Sequence, residues 1–160
     1  KRRKRELKMN QQELQKLVED ISLTSFKKPF LHTATFNPRL KTTGGRYLLK
    51  THHLDFNKRV LEMYGMEDFI KVIKHELCHY HLHIEGRGYQ HKDAEFKELL
   101  ISTGGSRYVK DLRTKEEQDS LHHYKCSQCD GRISRQKKIN VSRYVCGKCR
   151  GRLLLVEKKK

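Results

Sequence analysis

The stretch His75-Glu76-Leu77-Cys78-His79 is the most informative part of this sequence. On an α-helix, His-Glu-x-x-His brings two imidazoles four residues apart onto one face, where both can bind a single zinc ion. Zinc held in this way keeps an open coordination position for water, and Glu76 is placed to take a proton from that water. The pattern is typical of metal-dependent peptidases. It therefore predicts a zinc site with His75 and His79 as ligands and Glu76 as catalytic base.

We expect the helix that carries this motif to begin near Asp68 and to end at the glycines of residues 86–88. With about 100° of rotation per residue, His79 lies about 40° from His75 on the same face. Cys78 points away from that face, so we interpret it as a small packing residue.

Two histidines are one ligand short of a catalytic zinc site. His83 has a suitable orientation, but it lies eight residues from His75, which is about 12 Å along a helix axis. Zinc–nitrogen bonds of about 2 Å cannot bridge that distance. The third ligand is therefore expected after the glycines, where His91 is the first imidazole. The carboxylates that compete with it are Asp93, Glu95 and Glu98.

Four cysteines near the end of the chain form a second metal-binding pattern. Cys126-x-x-Cys129 is followed, after sixteen residues, by Cys146-x-x-Cys149. This spacing predicts a structural zinc ribbon, in which four thiolates close the coordination sphere and exclude water. Two disulfides are the alternative. They are disfavoured because no apolar segment of a secretory signal follows the basic start.

Charge is concentrated at the two ends of the chain. The net charge is +17; six basic residues and one acidic residue fall within the first eight positions, and twelve basic and two acidic residues fall within positions 122–160. The rest is nearly neutral, so the ends suggest a polyanion such as nucleic acid. For the first eight residues the alternatives are that they serve solubility or that they precede a natural start at Met9. The predicted nucleic-acid contacts are Arg132, Arg135, Lys137, Lys138, Arg143 and Tyr144.

The remaining chain predicts an α+β fold. Residues 10–26 have the apolar spacing of an amphipathic helix, and residues 31–37, 46–50 and 52–57 have the alternation of strands. We expect a small, mostly antiparallel sheet, with a hairpin-like connection through residues 38–45. The longest aliphatic run, residues 153–156, is too short to span a membrane.

The motif, the return to His91 with Phe96 behind it, the stretch Arg39–Tyr47 and the four-cysteine tail together resemble the SprT family. This resemblance implies a compact zincin-like domain with three histidine ligands and a glutamate base. Its eukaryotic relative, the Spartan protease, acts in a DNA-dependent manner on proteins crosslinked to DNA. One departure is that Lys92 follows the third histidine, where many relatives have glycine.

Together these features predict a cytoplasmic, monomeric zinc endopeptidase with a catalytic and a structural zinc ion, a protein substrate, DNA as partner and no membrane association. The alternative is a nucleic-acid-binding zinc protein whose zincin domain is regulatory or non-proteolytic. Arg46, Tyr47, Tyr89 and His83 all remain open as stabilisers of the oxyanion. The expected domains are a basic extension over 1–8, a zincin-like domain over 9–112, a linker over 113–124, a zinc ribbon over 125–155 and a basic tail over 156–160.

Overall fold

The computed structural model describes residues 8–156, which form helices and short strands in two compact units that meet in sequence between Leu112 and Arg113. The predicted α+β class is confirmed. Residues 1–7 and 157–160, which hold nearly all of the predicted basic extension and basic tail, lie outside the described residues. In chain order the elements are α1 (Gln11–Ile21), β1 (Ala34–Phe36), β2 (Gly45–Tyr47), β3 (Leu54–Phe56), α2 (Lys58–Tyr64), α3 (Met66–Ile84), α4 (Ala94–Thr103), α5 (Lys115–Asp119), β4 (His122–Cys126), β5 (Arg132–Arg135) and β6 (Leu153–Leu155).

Helix α1 begins at a capping box. The side chain of Asn10 accepts a hydrogen bond from the backbone N–H of Glu13, and the Glu13 side chain accepts one from the N–H of Asn10. Buried Leu14 and Val18 attach the helix to the core. The chain then continues as a π-helical turn, Ser22–Phe26, so the predicted helical segment over 10–26 is confirmed.

The first sheet has the strand order β1-β3-β2. Strand β3 pairs in parallel with β1 and antiparallel with β2, so the predicted hairpin between β1 and β2 is wrong. The loop before β2 is bound to the end of β3 because the side chain of Asn57 donates to the carbonyls of Lys41 and Thr43. Its N–H also donates to the carbonyl of Gly44, which holds this loop at the end of β3.

Helix α2 was not predicted, because only one residue lies between it and β3 and the strand pattern of the sequence extends up to Asn57. The Asn57 side chain accepts a hydrogen bond from the N–H of Arg59 and caps the helix. Gly65, with φ of 92°, separates α2 from α3. Helix α3 therefore begins at Met66, two residues before the predicted start, and carries the His-Glu-x-x-His motif through the core.

The C-terminal unit is a second sheet, with the order β5-β4-β6 and antiparallel pairing throughout. The segment 113–124, which we expected to be a linker, contains α5 and the first residues of β4. A small cluster around Cys126, Cys146 and Leu153 is buried there, with Ile133 and Val141 packed against it. No helix within residues 8–156 is both long enough and apolar enough to cross a membrane.

Candidate functional site

Three imidazoles converge in the N-terminal unit. His75 and His79 lie one turn apart on α3, and His91 approaches them from the loop before α4. The Nε2 atom of His91 lies 3.0 Å from the Nε2 atoms of both other residues, which are 3.2 Å from each other. Three nitrogen atoms at these separations could hold one metal ion.

Backbone carbonyls determine which nitrogen of each helical histidine faces the cluster. His75 Nδ1 lies 2.6 Å from the carbonyl oxygen of Ser106, and His79 Nδ1 lies 2.5 Å from that of Tyr89. A carbonyl only accepts, so each Nδ1 carries the proton and donates it. The Nε2 lone pairs therefore point toward one another, which is the arrangement of metal-bound histidines.

Phe96 on α4 supports the three rings from behind. Its ring stacks on His79 with centroids 4.4 Å apart and meets those of His75 and His91 at 5.3 and 5.2 Å. Phe96 is buried, so it excludes water from this side of the cluster. Burial lowers the pKa of His79 to about 4, although the hydrogen bond to Tyr89 acts in the opposite direction. A neutral imidazole with a free lone pair is the form that binds a metal.

Glu76 is buried beside these histidines on α3. Burial raises the pKa of its carboxyl group to about 8. A nearby cation would oppose this effect, because it favours the ionised carboxylate. The residues therefore fit a metal ion chemically: three imidazole nitrogen atoms surround one position, and a buried carboxyl group lines the same cleft.

The carboxylates that competed for the third ligand position do not join the cluster. Asp93 accepts a hydrogen bond from the N–H of Gln90, and Glu95 binds the Nε of Arg87 at 2.5 Å. Among the described residues, the metal-binding group in this unit consists of histidines alone. His83 does not join the cluster either, because its Nδ1 lies 2.6 Å from the hydroxyl of Tyr47. Cys78 is buried, with its Sγ 3.8 Å from the hydroxyl of Thr103.

A cleft of about 540 Å³ opens over the histidines. One side is formed by the loop before β2 and by β2 itself, and another by residues 106–109. Three of the residues considered for the oxyanion, Arg46, Tyr47 and Tyr89, line the cleft. The hydroxyl of Tyr47 is shared between the Nδ1 atoms of His52 and His83, each at 2.6 Å.

The four C-terminal cysteines are also brought together. Their sulfur atoms all lie within 4.8 Å of one another; Cys126 and Cys149 are 3.4 Å apart, and Cys129 and Cys146 are 3.7 Å apart. None of them forms a disulfide. Such a set of four thiols could hold a metal ion with no coordination position left for water.

The two Cys-x-x-Cys turns have the same backbone design. The N–H of Cys126 donates to the carbonyl of Gly131 at 2.8 Å, and the N–H of Cys146 donates to that of Gly151 at 2.9 Å. A Cβ atom at Gly151 would lie 2.8 Å from the sulfur of Cys126, so this position requires glycine. Backbone N–H groups lower the pKa values of Cys126 and Cys146, which favours thiolates.

The six residues predicted to contact nucleic acid are all exposed, on β5 and in the loop between β5 and Cys146. Four of them line one groove of about 660 Å³ together with apolar side chains such as Ile133. The four are Arg135, Lys137, Lys138 and Tyr144.

Sequence reasoning missed the groups that support the histidines and the cleft. The carbonyls of Ser106 and Tyr89 have no signal in the sequence, because any residue could supply them. Asp55 was also missed, although it is the centre of a polar network. It is nearly buried in β3 and accepts hydrogen bonds from Thr35, Asn37 and Arg46. An aspartate within an apolar strand was the available signal.

Comparison with known proteins identifies relatives of this chain. The SprT-like family model matches residues 13–116. A protein named "Protein SprT-like" from Enterococcus faecalis is 59% identical over 151 residues, which cover 94% of this chain and 98% of the relative. Proteins of the same name from Bacillus cereus and a Geobacillus species are 51% and 52% identical, covering 94% and 92% of this chain and 99% and 96% of theirs. The chain therefore belongs to the SprT-like family.

Proposed function

We propose that this protein is a zinc-dependent endopeptidase with a zincin-like catalytic domain. The observation that carries the proposal is the convergence of three Nε2 atoms at 3.0–3.2 Å, with Glu76 buried beside them and an open cleft above. His75, His79 and His91 would hold the metal. Zinc bound there would supply a Lewis acid for the scissile carbonyl and lower the pKa of water.

Glu76 would do the proton chemistry. Its carboxylate would take a proton from the attacking water and deliver it to the leaving amine. Strand β2 would position the substrate, because it is an edge strand that lines the cleft. Within residues 8–156 no strand pairs with its outer edge, so an extended peptide could add there through main-chain hydrogen bonds.

The first prediction concerns Glu76. Glu76→Gln should retain zinc but reduce peptide or protein cleavage by at least about 100-fold, because it removes the general base without removing a metal ligand. Cleavage and zinc content should be measured together. Glu67→Gln is the matched control: it lies on the same helix with its carboxylate 88% exposed, and it should behave like the wild type. Cleavage by Glu76→Gln at the wild-type rate would contradict the proposal.

The protein substrate is proposed to be bound or crosslinked to DNA, with the basic C-terminal unit as the tether and the four cysteines holding a structural zinc ion. The groove that combines Arg135, Lys137 and Lys138 with Tyr144 supports this part of the proposal. Cations attract phosphates, and an exposed tyrosine offers a surface for stacking a base.

The alternative is a nucleic-acid-binding protein without proteolysis, favoured by the same groove. A cleavage assay on DNA-binding proteins, with and without DNA, distinguishes the two. Endopeptidase activity should appear in the wild type and be lost in Glu76→Gln, while both proteins bind labelled DNA equally. Equal DNA binding with no cleavage by either protein would favour the alternative.

DNA binding itself should weaken as salt increases, because binding to phosphates releases counterions. Replacing Lys137 and Lys138 by Gln should weaken binding and reduce the salt dependence. An affinity that does not change between low and moderate salt would remove the argument for phosphate contacts.

A further inference from the structure

A row of polar side chains crosses the first sheet and ends at the edge strand beside the cleft. In the strand register, Thr35 of β1 and Arg46 of β2 are both paired with Asp55 of β3. Paired residues on neighbouring strands project on the same face of a sheet. The three side chains are indeed bonded: Thr35 donates to Asp55 Oδ1 at 2.9 Å, and Arg46 Nε lies 2.8 Å from Asp55 Oδ2.

The row orients Arg46 firmly. Asp55 is only 9% exposed at its side chain, and Asn37 adds a further hydrogen bond to the same carboxylate. Arg46 is bound to Asp55 through Nε, and 47% of its side chain is exposed. The guanidinium carries two further nitrogen atoms beyond Nε, which makes it suited to bind a second carboxylate.

The lining of the cleft contains more basic than acidic side chains, and the charge of one of the basic residues, Arg46, is paired with that of Asp55. Apart from buried Glu76, the charged residues that line it are Arg46 and Arg107. Arg107 is exposed and adjoins Ser106, which binds His75. No exposed carboxylate accompanies these cations among the described residues that line the cleft. Arg107 and the exposed part of the Arg46 guanidinium therefore favour acidic substrate side chains over basic ones.

We infer that Arg46 is a specificity-determining residue that selects an acidic side chain, Asp or Glu, at the substrate position paired with it along β2. The inference rests on the proposed endopeptidase function and on the substrate adding to the outer edge of β2. A substrate residue paired with Arg46 projects on the same face as Arg46 and Asp55. The carboxylate of this substrate residue binds the Arg46 guanidinium and so extends the row formed by Thr35, Asp55 and Arg46.

This selectivity has a consequence for the choice of cleavage site. Proteins that bind DNA are rich in Lys and Arg where they contact phosphates. The cleft directs cleavage away from such segments and toward acidic stretches of the same substrate. The preference weakens with added salt, since the Arg46 guanidinium is partly exposed.

The test uses a set of peptides in which Asp, Asn or Lys occupies each position in turn around one cleaved bond. The wild type should show a kcat/KM about three- to tenfold higher for Asp than for Asn at one position, the gain expected for a partly exposed charge pair. Arg46→Gln should bring this ratio close to one, and Arg46→Lys should restore part of it. Arg39→Gln, at an exposed arginine that does not line the cleft, should keep the wild-type ratio.

Peptide binding separates this inference from the proposed catalysis. The same peptides, now carrying a fluorescent label, are used to measure binding affinity to Glu76→Gln and to the double variant Glu76→Gln/Arg46→Gln. Binding can be measured in these variants without any cleavage. An Asp-over-Asn ratio that disappears with Arg46→Gln supports the inference even if no protein form cleaves. Ratios near one at every position, or an equal loss for all peptides on changing Arg46, would overturn it.

Discussion

Hydrogen bonds to backbone carbonyls determine which nitrogen atom of each helical histidine faces the histidine cluster. The carbonyls of Ser106 and Tyr89 hold the protons on the Nδ1 atoms of His75 and His79. His91 completes the group, whereas His83, on the same helix, is bonded to Tyr47. His83 is thus kept apart from the cluster, as its distance of eight residues from His75 along the helix predicts.

This difference predicts opposite zinc contents for two histidine variants. His91→Ala should lose zinc from the histidine site on dialysis, because two ligands bind far more weakly than three. His83→Ala should keep it. Metal analysis should find about two zinc ions per chain for the wild type and His83→Ala and about one for His91→Ala. Equal zinc contents in both variants would remove His91 from the ligand set.

Asp55 predicts a dependence of stability on pH. Burial opposes its ionisation, but hydrogen bonds from Asn37, Arg46 and Thr35 outweigh burial and hold its pKa below the usual value of 3.8. A carboxyl group with a lowered folded pKa stabilises the native state above the unfolded pKa, and this contribution is lost as the pH falls through the folded pKa. The ionised form is thus a source of stability at neutral pH.

Asp55→Asn should therefore lower the free energy of unfolding at pH 6 by roughly 1–3 kcal/mol. The difference from the wild type should shrink as the pH falls below 3.8. Denaturant unfolding of both proteins at several pH values measures this difference in the free energy of unfolding. Because both proteins are compared at the same pH, the contributions of the other titrating groups cancel. A difference that stays constant down to pH 3 would show that the charge of Asp55 is not the cause.

At the level of elements, the close contact between β2 and α3 decides the shape of the cleft. A Cβ atom added at Gly45 would lie 3.0 Å from Cγ of Glu76 and 3.1 Å from Cδ1 of Phe56. The absence of a side chain at residue 45 therefore lets the strand lie close to α3. Asn57 contributes by holding the loop that leads into β2.

Gly45→Ala should force β2 away from α3. We expect a loss of about 1–3 kcal/mol in the free energy of unfolding, as for other overpacked sites. Cleavage should fall as well, because the added methyl group displaces Glu76 or the substrate strand. Thermal unfolding and kcat/KM measure the two effects. At Gly147 an added Cβ meets nothing within 4 Å, so Gly147→Ala should change neither the free energy of unfolding nor kcat/KM.

On the scale of the whole molecule, the two units differ in what stabilises them. The N-terminal unit has a core of aromatic and aliphatic side chains drawn from its helices and its sheet. Among the described residues, the cluster buried around the cysteines of the C-terminal unit consists of Cys126, Cys146 and Leu153, and Leu121 and Tyr124 are the other buried hydrophobic side chains of that unit. So small an apolar core cannot offset the conformational entropy of folding, and a bound metal would supply the difference.

A strong chelator should consequently unfold the C-terminal unit while the helices of the N-terminal unit persist. NMR spectra should show loss of dispersion for residues of β4 to β6 only. Cys126→Ala should have the same effect without a chelator, whereas Cys78→Ala should leave this unit folded, because Cys78 lies in the other core. Survival of the second sheet in metal-free protein would contradict the prediction.

Features that depend on spacing along the chain could be predicted from the amino-acid sequence. Two histidines four residues apart share a helix face, His83 is too far from His75 along the axis, and paired Cys-x-x-Cys motifs form matching turns; each follows from local geometry. The α+β class and the main helices follow from apolar periodicity in the same way.

Contacts between groups that are distant in the chain could not be predicted in this way. The parallel pairing of β1 with β3, the carbonyls behind His75 and His79, and the row from Thr35 through Asp55 to Arg46 join residues far apart in the chain. Backbone carbonyls are the same in every residue, and strand order depends on packing of the whole sheet. Neither leaves a local pattern, so these contacts arise only when the chain is folded.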